Sequence, residues 1–161
     1  MSFIGILTDH KNEIYLKKKL GENQWKEVFF LNEKTIDNVR NIKFDTFLLG
    51  KRIEEKQEII RAIVQKANYV VMNSDIKENV SLLDNLDLML ITYGYHSKST
   101  VTVSSTEENG IMLCLQRSII NKYGENVEPQ EFEIQNEEEV SDYAVMEFAS
   151  FKLIYQKNDR K

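Results

Sequence analysis

One cysteine, one proline and two histidines are spread over 161 residues. With Cys114 alone, no disulfide can close within the chain, and a Cys/His zinc site lacks its ligands. Cys114 sits between Leu113 and Leu115, the setting of a structural thiol rather than a nucleophile. The single proline, Pro129, excludes a proline-rich linker, and there are no repeats or low-complexity segments. No apolar run reaches the length of a membrane span, and the opening residues 1–11 are too short a stretch for a signal peptide. The expectation is a cytoplasmic protein without a membrane partner. Positive charge is also short: 21 Lys and Arg against 26 Asp and Glu give a net charge of −5. The basic residues are interspersed with acids, which argues against a nucleic-acid backbone as the partner. Lys17, Lys18 and Lys19 form a local exception, and they suit the last turn of a helix, where cations complement the dipole.

The chain has the length of one domain, 1–161, with an ordinary share of apolar residues for a soluble core. Residues 3–7 read as a buried strand, followed by a cap at Thr8-Asp9 and a helix that Gly21 can close. Strands are expected at 28–31, 44–49, 69–72 and 88–92. Helices are expected at 53–67, where Ile59, Ile60, Ile63 and Val64 form one stripe, and around 79–86. Alternation of this kind predicts an α/β fold: a Rossmann-like, three-layer, mainly parallel sheet with helices on both faces. After Gly94 the pattern changes to alternating strands at 100–105 and 111–116, joined at Asn109-Gly110, where both residues tolerate positive φ. A strand at 131–134 and a C-terminal helix complete a small antiparallel extension. Asn136 is the expected cap of that helix, with Glu137, Glu138 and Glu139 in its first turn and Val140, Ala144, Phe148, Phe151 and Tyr155 as its apolar stripe.

The motifs of nucleotide chemistry are missing. The nearest approach to the P-loop pattern G-x-x-x-x-G-K-S/T, residues 45–52, has Asp45 for the first glycine and Arg52 for the hydroxyl. The first β-to-α turn, Leu7-Thr8-Asp9-His10, carries no glycine for a dinucleotide. The loop 94–100 joins Gly94, Lys98 and several hydroxyls and is a candidate anion nest, although it leads into a strand. Ser97, Ser99, Ser104 and Ser105 lie near His96, but no nucleophile elbow surrounds them. Strand C-termini are where open α/β sheets bind ligands. The candidate binding face is therefore Thr8, Asp9, His10, Asn73, Asp75, Thr92, Gly94, His96 and Lys98. The same residues would also serve simply to cap helices and turn loops.

Asn73-Ser74-Asp75 after one strand, then Leu90-Ile91-Thr92-Tyr93-Gly94, then antiparallel strands, resembles the later half of the central, ATP-binding domain of the Mur ligases. Those enzymes add amino acids to peptidoglycan precursors, and folylpolyglutamate synthetases are their relatives. The resemblance covers mainly residues 68–117, with a weaker echo to about 155. It implies a shared fold, and it places Asn73 near an adenine, with Asp75 the other matching residue of the Asn-x-Asp-Asp motif. Ile76 stands where that motif has its second aspartate, and the family's P-loop is missing. No cofactor is implied by any motif. The expected protein is a non-catalytic ligand-binding or regulatory module, with a nucleotide or small anion as the candidate ligand. One rival is a protein-interaction module, acting as a homodimer through Trp25, Phe29, Phe30 and the last helix. The other is a small enzyme pairing His10 or His96 with a carboxylate.

Overall fold

The computed structural model describes residues 3–21, 27–135 and 139–157. Its centre is an eight-stranded sheet. The first half of the chain lays down β1 (Ile4–Leu7), α1 (His10–Gly21), β2 (Val28–Phe30), β3 (Thr46–Leu49), α2 (Gln57–Lys66), β4 (Tyr69–Asn73), α3 (Lys77–Leu82) and β5 (Leu90–Tyr93). The second half adds β6 (Val101–Glu107), β7 (Gly110–Leu115), the small ladder of β8 (Ile119–Ile120) with β9 (Asn126–Val127), β10 (Gln130–Gln135) and α4 (Asp142–Tyr155). The strand order is β10-β7-β6-β5-β4-β3-β1-β2, parallel from β2 to β6 and antiparallel at β7 and β10. This is a mostly parallel α/β sheet flanked by helices, in a general Rossmann-like arrangement. β1 lies between β2 and β3, so successive crossovers leave it in opposite directions. That reversal makes the C-terminal ends of β1 and β3 a topological switch point, the position where open α/β sheets usually bind ligands.

Period-two alternation feeds two cores. Ile4, Ile6, Leu48, Val71 and Ile91 face α1 and α4, whereas Leu7, Phe47, Leu49, Val70 and Met72 face α2, α3 and a single 3-10 turn at Ile36–Val39. α4 is nearly all buried, including the stripe residues Ala144, Phe148, Phe151 and Tyr155. That stripe belongs to the core and is not available as a docking patch, while Phe29 and Phe30 are half-buried on the edge strand β2 and Trp25 lies outside the described residues. α4 runs antiparallel to the parallel strands. Its C-terminal Tyr155 bonds Thr46 Oγ1 at 2.6 Å at the start of β3, and its start lies at the opposite edge, where Ser141 meets Asn12 and Tyr143 meets Asp75.

Several boundaries move. The second helix begins at Gln57, not at 53, because Ile53 is held by Asn79 Oδ1 at 3.1 Å and Lys56 takes a left-handed φ of 57°. The next helix starts two residues before Asn79, whose buried amide also donates to Lys51 O at 2.6 Å. The expected hairpin forms, but its two-residue turn is Glu108-Asn109 and neither residue has positive φ. α4 begins six residues after Asn136. Ser141 is its cap, accepting from Ala144 N at 3.2 Å, and Glu139 precedes the helix instead of filling its first turn. Asn136, Glu137 and Glu138 lie outside the described residues.

Candidate functional site

The nine candidate residues all lie at the C-terminal edge of the parallel strands, but the structure divides them into three groups. The first surrounds Thr8, just past β1. Its hydroxyl donates to Glu147 Oε2 at 3.2 Å, and the Glu147 side chain reaches from the middle of α4 with none of its surface exposed. The carboxyl fits because Gly50, just past β3, has no side chain. A Cβ there would stand 2.6 Å from Thr8 Oγ1 and 2.7 and 2.8 Å from the two carboxyl oxygens. Tyr93, at the end of β5, is fully buried and turned toward the same carboxyl, yet neither its hydroxyl nor Glu147 Oε1 reaches a well-formed hydrogen bond. Burial pushes the Glu147 carboxyl up to about 8, and the Asp9 charge adds to the rise, against the lowering effect of the Thr8 and Tyr93 hydroxyls. Burial also pushes the Tyr93 phenol well above its usual range, helped by Glu147.

Asp9 and His10 open the second group. Asp9 caps α1, its carboxylate accepting from Asn12 N at 2.9 Å and its carbonyl from Glu13 N at 2.9 Å. Asn12 Oδ1 accepts in turn from Ser141 Oγ at 3.1 Å, which ties the start of α1 to the cap of α4. Between these two helix starts lies an open groove of about 780 Å³, lined by Asp9, His10, Asn12, Tyr15, Glu139 and Ser141. The Tyr15 hydroxyl is buried and unpartnered, and burial raises its pKa to about 12.

Around Asp75 the third group forms. Asn73 Oδ1 accepts from Asp75 N at 2.9 Å, a local turn that aims the aspartate at the loop 94–100. There the carboxylate accepts from Tyr95 N at 2.8 Å, from His96 N at 3.2 Å and from the Tyr143 hydroxyl at 2.8 Å. Lys98 N donates to His96 Nδ1 at 3.1 Å, and Thr92 Oγ1 receives Thr100 N at 3.0 Å. The loop thus forms an anion-binding turn, and the anion it holds is the chain's own Asp75. Tyr95 stacks edge-on against Tyr143, with ring centroids 5.4 Å apart, and its hydroxyl donates to Asp142 in the first turn of α4. Burial and the Asp75 hydrogen bond hold the Tyr143 phenol up at about 12.

The first turn of α4 therefore bridges the second and third groups through Ser141 and Tyr143. Among the described residues neither the His10 nor the His96 side chain is hydrogen-bonded to Asp75; His96 reaches it through its backbone N–H alone. Nor do three or more His, Cys, Asp or Glu side chains converge to hold a metal. Sequence reasoning missed Asn12, Tyr95, Ser141, Tyr143 and Glu147. The one available signal was a glutamate embedded in the apolar run from Ala144 to Phe151. No protein-family model matches the chain, and no curated protein matches it significantly.

Asp75 offers a direct test of the third group. Asp75→Ala leaves two backbone amides and a phenol without their acceptor, so a loss of about 2 kcal/mol is expected in chemical denaturation. An unchanged midpoint would show that the loop keeps its shape without the carboxylate.

Proposed function

We propose that this chain is a non-catalytic, cytoplasmic binding module that takes a small polar molecule in the groove between the starts of α1 and α4. One observation carries the reading: the groove of about 780 Å³ opens where the starts of α1 and α4 meet at the strand C-terminal edge. Such edges are the usual ligand sites of open α/β sheets. His10 lines the groove, is exposed, and among the described residues makes no side-chain hydrogen bond, so it is placed to meet a ligand. Nucleotides and small anions remain the first candidates. Asp75 already fills the turn at Tyr95 and His96, so the ligand is assigned to the groove and not to that loop. The order of β4 ending at Asn73, β5 ending before Gly94, an antiparallel hairpin and a closing α4 supports a relation to the Mur ligase central domain. No helix among the described residues is long and apolar enough to cross a membrane.

A thermal-shift screen against nucleotides, nucleotide sugars and small phosphates tests the reading. A ligand at a hundred times its Kd adds roughly 2.7 kcal/mol of stability. The shift is expected to shrink in His10→Ala while the melting temperature of the ligand-free variant stays unchanged. No shift with any compound would remove the groove from consideration and favour a protein partner.

A further inference from the structure

We infer that the free edge of β10 accepts an extended basic segment of a partner protein as an additional strand of the sheet. β10 is the last strand in the order, six residues long, and pairs with β7 without a register break. Among the described residues no strand pairs with its outer side, so its outward N–H and C=O groups form a ready template. Alternation gives the edge two distinct faces. Phe132 and Ile134 turn toward the core under α4, and beside them lies a cleft of about 260 Å³ bounded by Ala149, Leu153 and Lys152. Glu131 and Glu133 turn to the other face and are exposed, and Glu131 also accepts from Ser104 Oγ of β6 at 2.5 Å across β7.

Those two faces specify the occupant. A strand laid along β10 places every second side chain over the cleft, where an aliphatic group fits, and the intervening side chains beside Glu131 and Glu133, where lysine or arginine is favoured. Charge argues against a second copy of this chain. A twin β10, laid antiparallel with its apolar face on the same side, brings Glu131 or Glu133 opposite Glu133, and like charges directly opposed are destabilising. The glutamates thus discourage self-pairing while attracting a basic strand.

The test is anisotropy titration of a labelled hexapeptide alternating lysine and valine, alongside its glutamate–valine counterpart and a lysine–valine version N-methylated on one edge. Saturable binding of the first peptide only is expected. The double variant Glu131→Lys/Glu133→Lys should weaken it at least tenfold and admit the glutamate–valine peptide. Any of three results overturns the proposal: no binding of the lysine–valine peptide at millimolar concentration, equal binding of the N-methylated peptide, or affinity unchanged by charge reversal. If the double variant does not fold, the N-methylated peptide on the natural chain still decides. Sedimentation of the chain alone should give a monomer, and a dimer abolished by the charge reversal would also overturn the proposal.

Discussion

Glu147→Gln is expected to stabilise the protein at pH 8 by up to about 5 kcal/mol and to flatten its stability between pH 4.5 and 8. The figure follows from linkage. An ordinary glutamate titrates near 4.5, and burial between Thr8, Gly50 and Tyr93 raises Glu147 to about 8 when folded. In between, the folded chain keeps a proton that the unfolded chain has released. Stability therefore falls with rising pH by about 1.4 kcal/mol per unit, beginning near 4.5 and levelling off once the folded carboxyl ionises near 8. Below 4.5 both states are protonated and the carboxyl contributes no slope. Glutamine keeps the shape, accepts from Thr8 through its carbonyl, and carries no ionisable proton. Urea titrations of both proteins from pH 4 to 9 measure the effect. The difference curve should open from near zero at the acid end, whereas parallel curves would mean that Glu147 is charged and solvated at neutral pH. The Asp9 charge adds to the rise at Glu147, so Asp9→Asn should lower the alkaline end of the window. That variant keeps a capping oxygen for Asn12 N.

A buried acid at this position explains much about what the sequence did and did not disclose. The alternation of strand and helix patterns was legible because apolar periodicity records which faces are covered: Ile60, Ile63 and Val64 announce α2, and the run at Val70–Met72 announces a strand buried on both sides. The location of the candidate face at the strand ends was legible for the same reason. What it contains was not. Asp75 reads as a potential ligand carboxylate, and only folding shows it to be spent on Tyr95, His96 and Tyr143, the last 68 residues away. Thr8 and Glu147 are 139 residues apart, and no local pattern pairs them. Helix starts were misjudged where tertiary bonds override local preference. Asn79 holds Ile53 and Lys51 outside a helix, and Ser141, not Asn136, supplies the cap of α4 because it also reaches Asn12. Periodicity encodes burial, whereas polar networks are encoded by long-range geometry that a single chain does not spell out.

Gly94→Ala is the other substitution with a large expected cost, about 3–4 kcal/mol, or roughly 10 °C in melting temperature for a chain of this size. Two independent terms add. Gly94 has a φ of +151°, which side-chain-bearing residues adopt only under strain of about 1–3 kcal/mol. A Cβ there would also stand 2.8 Å from the Asp75 carboxyl carbon and both its oxygens. That carboxylate cannot swing aside without releasing Tyr95 N, His96 N and the Tyr143 hydroxyl, so the overlap is not relieved cheaply. The two terms separate in a double-mutant cycle. In an Asp75→Ala background the steric conflict disappears and only the backbone strain remains. Gly94→Ala should then cost about 1–2 kcal/mol less than it does in the natural chain. Strict additivity would place the whole cost in the backbone and none in the contact. A sub-additive cycle would establish that Gly94 is glycine for two reasons at once: it turns the chain out of β5, and it leaves room for the carboxylate that fixes the loop behind it.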